Sequence, residues 1–452
     1  MKIKQQSKKK LKGNIRWHSL VLLDQIEHQQ QYSNILVDRF LTDSNFSDAD
    51  NRLLVRLVYG VTQRRYTLNY YLKPIIKGKK IEPWVETLLR LSIYQLVYLD
   101  RIPEHAVVNE AVNIAKINGH QALGNFVNAL LRQFLRTPLP DLAAIPDTVE
   151  RLSIQYSVEP WIVEELLSMK EQAEVEAMLE SLLLDPIVSA RINVPLEERE
   201  ALLAELQAEG FEVEASQLSP YGIRCLKGNL IHSAAFKEGR LTIQDESSML
   251  VSPIGKIKGS EQVLDACAAP GGKATHSASL LTDGHLTALD ISAAKLNKVA
   301  QHAERMALTD RLTLQVSDAT KFFPKPGTFY DIIYLDAPCS GLGLMRRKPE
   351  IKYQKTKADV AALAEIQLDL LNHLVTLLKP GGKLVYSTCT LTELENESLL
   401  DQFIASNDSI KLDPIQESEA TSKDILTEKG QVRIWPHVYH TDGFFIARLI
   451  KQ

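Results

Sequence analysis

In the stretch DADNRLLVRLVYGVTQRR (48–65), the apolar residues Leu53, Leu54, Leu57, Val58 and Val61 recur at intervals of three and four. That spacing puts them on one face of a helix. Ser47, with Asp50 three residues on, resembles a capping box at its start. Helical spacing recurs at about 83–99, 104–117 and 123–136 with short connections, so residues ~15–136 are expected to form an all-α bundle. The proline-rich TPLPDLAAIPDT (137–148) reads as a linker. After it, IVSARINV (187–194), FEVEAS (211–216) and GIRCLKG (222–228) read as strands, and PLEEREALLAELQAEG (195–210) as a helix ended by Gly210. This β-α-β-β order predicts a small α+β module. From about residue 240, strands alternate with helices through QVLDACAAPGGKATHSASLL, HLTALDIS, LTLQVSDAT, YDIIYLDAPCSG, GKLVYSTCT and DGFFIARLI. The alternation predicts a parallel, doubly wound α/β sheet. The expected division is therefore 1–140, 141–239 and 240–452.

Composition narrows the class. At 452 residues the chain needs two or three domains. No apolar run approaches 18 residues and no secretory signal opens the sequence, so a cytoplasmic protein without a membrane span is expected. The cysteines Cys225, Cys267, Cys339 and Cys389 are too sparse for a disulfide framework and lack zinc-site spacing, so no metal is expected. Cys225, inside a strand, reads as a buried core thiol. The net charge of −4 does not announce a nucleic-acid binder. Its distribution is more telling: Lys2, Lys4, Lys8, Lys9, Lys10, Lys12 and Arg16 all precede the first acid, Asp24. Such an arm suits phosphate contact.

Ligands of doubly wound sheets bind at the carboxyl ends of the strands, and the unusual residues lie there. CAAPGGK (267–273) is a glycine turn after the first strand of the domain. It is neither a Walker loop nor a GxGxxG fingerprint. Asp290 ends the next strand, where an acid can accept from ribose hydroxyls. Asp318 ends the third, where an acid can accept from an adenine amino group, and Asp336 ends the fourth. The ordered set fits an adenosyl ligand without a pyrophosphate, S-adenosyl-L-methionine. Cys339 and Cys389 each follow an apolar run. The basic run Arg346, Arg347, Lys348, Lys352, Lys355 and Lys357 lies just past Cys339, and RNA phosphate contact is expected of it.

LDACAAPGGKATH, LDAPCSGLGLMRRKPEIKY, VYSTCT with ENE (395–397) and DGFFIA closely resemble the Fmu/Sun family of RNA cytosine-5 methyltransferases. The stretch from LVYGVTQRR to GNFVNALLR resembles the NusB-like RNA-binding domain. Together they cover almost the whole chain. The resemblance implies methylation of cytosine C5 in small-subunit ribosomal RNA by a monomeric enzyme. It implies that Cys267, Ala268, Ala269, Pro270, Gly271, Gly272, Lys273, Asp290, Asp318 and Asp336 bind S-adenosyl-L-methionine. It assigns attack on C6 to Cys389 and release to Cys339, with Asp336 beside the base. It also implies that RINV (191–194) and QDESS (244–248) belong to an RNA-contacting module. On this reading the bundle supplies RNA affinity rather than chemistry. The alternatives are a tRNA cytosine-5 methyltransferase, a non-catalytic RNA-binding assembly factor and, least favoured without GxGxxG, a nicotinamide oxidoreductase.

Overall fold

The computed structural model describes residues 9–452, so Lys2, Lys4 and Lys8 of the basic arm lie outside the described residues. The chain divides into two units, Met1–Leu184 with Met345–Gln354, and Asp185–Leu344 with Lys355–Gln452.

The first unit contains α1 (Ile15–Gln29), α2 (Ser33–Asp43), α3 (Asp48–Gln63), α4 (Arg65–Ile76), α5 (Pro83–Tyr98), α6 (Glu104–Asn118) and α7 (Gln121–Arg136). Leu54, Leu57, Val58 and Val61 of α3 are fully buried in one core with Leu20 and Leu23 of α1 and Val85, Leu88 and Leu89 of α5. Burying one such side chain stabilises by about 1.5–3 kcal/mol. The apolar face therefore holds α3 more firmly than propensity does. Ser47 Oγ accepts from Asp50 N at 3.2 Å and caps its start. The helices α8 (Thr148–Tyr156), α9 (Pro160–Met169) and α10 (Gln172–Ser181) carry this unit to Leu184, past the boundary expected at 140.

Met345–Gln354 belongs to the same unit, and it corrects an expectation. Arg346 and Lys352, read as phosphate contacts, are 4% and 0% exposed. Their neighbours Met345 and Ile351 are buried and draw the segment inward. Lys352 Nζ donates to Gln63 Oε1 at 2.7 Å and to Tyr156 O at 3.3 Å. Burial first, and then the Arg64 charge, push its pKa well below the ordinary lysine value. Arg346 Nη2 donates to Ser181 Oγ at 3.2 Å, and its carbonyl accepts from Gln63 Nε2 at 2.9 Å. Glu350 accepts from Ser33 N at 3.0 Å and from Ser33 Oγ at 2.7 Å. Arg347 is half-buried.

In the second unit, β1 (Val188–Ile192), β2 (Glu212–Ala215), β3 (Gly222–Lys227) and β4 (Leu241–Ile243) form an antiparallel sheet in the order β2-β3-β1-β4. Its last strand lies past the boundary expected at 239. The helix α11 (Arg199–Ala208) packs Leu202, Leu203 and Leu206 against Ala190, Ile192, Val213 and Ile223. Cys225 is buried in the same core, and burial raises its thiol pKa. Arg191 of RINV is fully buried rather than facing solvent. Its Nε donates to Gln244 Oε1 of QDESS at 2.8 Å, and its Nη2 to Thr275 Oγ1 at 3.1 Å. These two side chains brace the turn after the next strand instead of facing RNA.

The larger sheet has the strand order β10-β12-β9-β8-β5-β6-β7, with β11 paired to β12. Its members are β5 (Gln262–Asp265), β6 (His285–Asp290), β7 (Leu312–Val316), β8 (Tyr330–Asp336), β9 (Leu378–Thr388), β10 (Ile410–Leu412), β11 (Val432–Ile434) and β12 (Phe444–Lys451). The run β7-β6-β5-β8-β9 is parallel. The doubly wound, Rossmann-like sheet forms as expected, and at the other edge β12 adds an antiparallel strand beside β9 and β10. Antiparallel strands commonly flank such sheets.

Candidate active site

Five parallel strands bring the predicted residues to one sheet edge. β5 ends at Asp265, β6 at Asp290 and β8 at Asp336; Asp318 lies just beyond β7 and Cys389 just beyond β9. β8 pairs with β9 in the register Asp336↔Ser387, so the loops carrying Cys339 and Cys389 leave neighbouring strands.

The turn 266–271 joins β5 to α12 (Gly272–Ser279). Gly271 has φ 108, and a Cβ there would lie 3.1 Å from Val299 Cα on α13 (Ala293–Arg305). Only glycine meets both demands. Thr275 Oγ1 donates to Gly271 O at 2.7 Å, which couples the turn to Arg191. Lys273 Nζ reaches Asp336 Oδ2 at 2.6 Å and lies over the Phe444 ring at 5.1 Å. Burial opposes its charge, yet Asp336, Cys389 and Asp265 raise its pKa above the ordinary lysine value. Ser387 Oγ donates to the other Asp336 oxygen at 2.9 Å. Both Asp336 oxygens thus have a fixed partner.

Asp265 was not singled out in the sequence, where it passes for the last residue of an apolar strand. It is 1% exposed, and burial, then Asp336, push its pKa up to about 7. The unfolded chain releases this proton near pH ~3.9. Between those values the native state binds more protons, so the contribution of Asp265 to stability falls as pH rises. Asp265→Asn should flatten that fall. Urea midpoints of the free protein, taken at both ends of the window, check it, and parallel curves for the two proteins would refute it.

Cys267 donates its backbone N–H to Asp265 Oδ1 at 3.3 Å. Burial, followed by Asp265, Asp336, Asp290 and Asp318, raises its thiol pKa. That one thiol senses all four acids records how closely they gather. Asp290 Oδ1 accepts from Ser292 N at 2.8 Å. Asp318 Oδ1 accepts from Thr320 Oγ1 at 2.7 Å and from Thr320 N at 3.0 Å, and these bonds lower its pKa.

Cys339 Sγ and Cys389 Sγ are 3.4 Å apart, and both are free thiols. The hydrogen bond with Cys389 comes first, and burial second, in raising the Cys339 pKa well above the ordinary cysteine value. Either sulfur can be the donor in this contact. The two loops also meet through backbone: Gly343 N donates to Cys389 O at 2.9 Å, and Gly443 N to Gly343 O at 3.0 Å. A Cβ on Gly343 would lie 2.0 Å from Gly443 O, so this approach requires glycine.

The chain is similar along most of its length to known proteins. A family model described as 16S rRNA methyltransferase RsmB/F matches residues 254–450. The NusB family matches 14–136, and an RsmF/B-like ferredoxin-like domain matches 159–231. The chain is 40% identical to the probable ribosomal RNA small subunit methyltransferase B of Bacillus subtilis, across 98% of this chain and 99% of that one. The chain belongs to the RsmB/F family of methyltransferases. A Synechocystis sp. relative with the same description is 34% identical over 96% of this chain and 98% of its own. Among solved structures, PH0851 superimposes with TM-score 0.80 at 27% identity, covering 97% of this chain and 98% of that one. A methyltransferase homolog protein from Pyrococcus horikoshii gives 0.58 at 26%, covering 68% of this chain and all of the other.

In this RsmB/F chain the turn 267–273, Asp290, Asp318, Asp336, Cys339 and Cys389 gather in the second unit, whereas Arg346, Arg347 and Lys352 belong to the first. Ser387 and Glu395 lie inside the VYSTCT and ENE motifs without a role of their own in the sequence, and Gln367 lies outside every motif. Gln367, on α14 (Lys357–Leu374), is fully buried and donates from Nε2 to Pro338 O at 2.9 Å. A glutamine inside a helical stretch carries no signal of such a role.

Proposed function

We propose that the protein transfers a methyl group to C5 of a cytosine in small-subunit ribosomal RNA through a covalent bond between Cys389 and C6. The thiol pair at the carboxyl edge of adjacent strands, 3.4 Å apart, carries this reading. Relatives described as ribosomal RNA small subunit methyltransferases support the substrate class, and ribosomal RNA as substrate puts the enzyme in the cytoplasm. The glycine turn with Asp290 and Asp318 beyond it fits S-adenosyl-L-methionine: glycine admits close backbone approach, and the two carboxylates accept from ribose hydroxyls and an adenine amino group. Bound there, the cofactor supplies an electrophilic methyl group on a sulfonium.

Cytosine C5 is a weak nucleophile. The Cys389 thiolate adds to C6, and the electrons of the C5–C6 double bond make C5 nucleophilic. Asp336, fixed by Lys273 and Ser387, accepts from the N4 amino group and orients the base. Once C5 is methylated, its proton must leave and the C6–S bond must break. Cys339 is timed for that step. Its strongest hold on the proton is Cys389 itself; when Cys389 becomes a neutral thioether that hold is gone, Cys339 releases its proton to solvent, and its thiolate takes the C5 proton as the C5–H electrons re-form the C5–C6 double bond and expel the Cys389 sulfur.

Asp290→Ala should weaken cofactor binding by roughly 1–3 kcal/mol, the cost of buried hydroxyls left without an acceptor. RNA affinity should stay unchanged. Calorimetry with S-adenosyl-L-methionine checks it; unaltered affinity would remove Asp290 from the ribose role. Bisulfite mapping of RNA from cells with and without the protein tests the reaction itself.

A further inference from the structure

The ENE run has no part in the mechanism above, yet each of its residues is spent around the thiols. Glu395 is fully buried. Its Oε1 accepts from Ser340 N at 2.7 Å and Gln367 Nε2 at 3.1 Å. Its Oε2 accepts from Ser340 Oγ at 2.5 Å, Thr390 Oγ1 at 3.1 Å and Thr392 Oγ1 at 2.9 Å. Ser340 directly follows Cys339, and Thr390 directly follows Cys389. The hydroxyls of Ser340 and Thr390 are themselves 2.6 Å apart. Asn396 accepts from Thr388 Oγ1 at 2.5 Å and donates to Thr390 O at 3.3 Å, bracketing Cys389. Glu397 pairs with Arg433 at 2.8 Å, and Arg433 Nη2 donates to Leu391 O.

We propose that Glu395 is the positioning residue of the thiol pair: one carboxylate holds the residues that follow both cysteines, and so sets the spacing of the two sulfurs and their division of labour. This rests on the covalent mechanism proposed above. Two N–H groups and three hydroxyls crowd one group, the Ser340 and Thr390 hydroxyls sharing their protons between it and each other, and an acceptor-only side chain suits such a cluster. A glutamine of the same shape would turn its own N–H₂ toward a donor and break at least one of these bonds. The carboxylate also acts through space. After Cys389 and burial, its negative charge adds to the hold of Cys339 on its proton.

The test uses the intact chain with Glu395→Gln and Thr392→Val, the second removing one outer donor while leaving the bridge between Ser340 and Thr390. Methyl transfer to ribosomal RNA gives kcat and KM. Iodoacetamide labelling of each thiol at neutral pH, without RNA or cofactor, gives the balance between the sulfurs. Glu395→Gln should lower kcat about tenfold or more while both KM values stay within about twofold. Cys339 should be labelled several-fold faster. Thr392→Val should keep kcat within about threefold. An unchanged Cys339 labelling rate, an unchanged kcat, or an equal loss in Thr392→Val would overturn the proposal. If Glu395→Gln does not fold, Ser340→Ala and Thr390→Val decide it: each should raise Cys339 labelling, and no change in either overturns it. The unmodified protein separates the two readings. A missing Cys389–RNA adduct there, with the labelling shift intact, removes the covalent mechanism and leaves the positioning role. An adduct there with no labelling shift in Glu395→Gln removes the positioning role alone.

Discussion

Cys339→Ala should accumulate a covalent protein–RNA complex, and Cys389→Ala should form none. The expectation follows from the two thiols' unequal states. The Cys339 pKa is raised well above the ordinary cysteine value, which makes it the poorer nucleophile, and the proposed mechanism gives attack on C6 to Cys389. Removing Cys389 should lower methyl transfer by on the order of 10³-fold or more, as loss of a nucleophile does. Removing Cys339 leaves attack and transfer intact but takes away the group that assists release. The protein then stalls on its methylated RNA. Denaturing gels, with and without nuclease, would show a slow band in Cys339→Ala that collapses on digestion. An adduct accumulating in Cys389→Ala instead would exchange the two roles. Activity retained in both variants, with no adduct in either, would end the covalent mechanism.

A chain lacking residues 1–184 should lose methyl transfer even at saturating RNA, and not only RNA affinity. The reason is Met345–Gln354, which begins six residues after Cys339 and belongs to the helical unit. Truncation takes away Ser33 from Glu350, and Gln63 and Tyr156 from Lys352. Each buried polar group left without its partner costs about 1–3 kcal/mol. The segment after the Cys339 loop should then become the first site of limited proteolysis, and kcat should fall steeply. A fragment with full kcat at saturating RNA would refute this and return the helical unit to a role in affinity alone.

The periodic signals in the sequence were sound where burial is one-sided. The face of Leu54, Leu57, Val58 and Val61 and the strands ending at Asp290 and Asp336 form as their patterns require. The motif residues were legible because their chemistry is bound to strand ends, which a sequence reveals. What escaped was set by tertiary context. β10 and β11 span only Ile410–Leu412 and Val432–Ile434, too short for a period to register. Lys352 and Arg346 look like a solvated charge run until Met345 and Ile351 turn them inward. Asp265 and Gln367 lie inside regular elements, and only the fold brings the first to the Cys267 turn and the second to Pro338 and Glu395.

The bundle's interior is completed by a piece of chain that is synthesised late. α1 to α10 leave the ribosome early, but Ser33 and Gln63 find Glu350 and Lys352 only after β1 through β8 have also emerged. Until then Ser33 and Gln63 lack these two partners. The order of synthesis thus leaves the helical unit without Met345–Gln354 until most of the second unit's strands have been made.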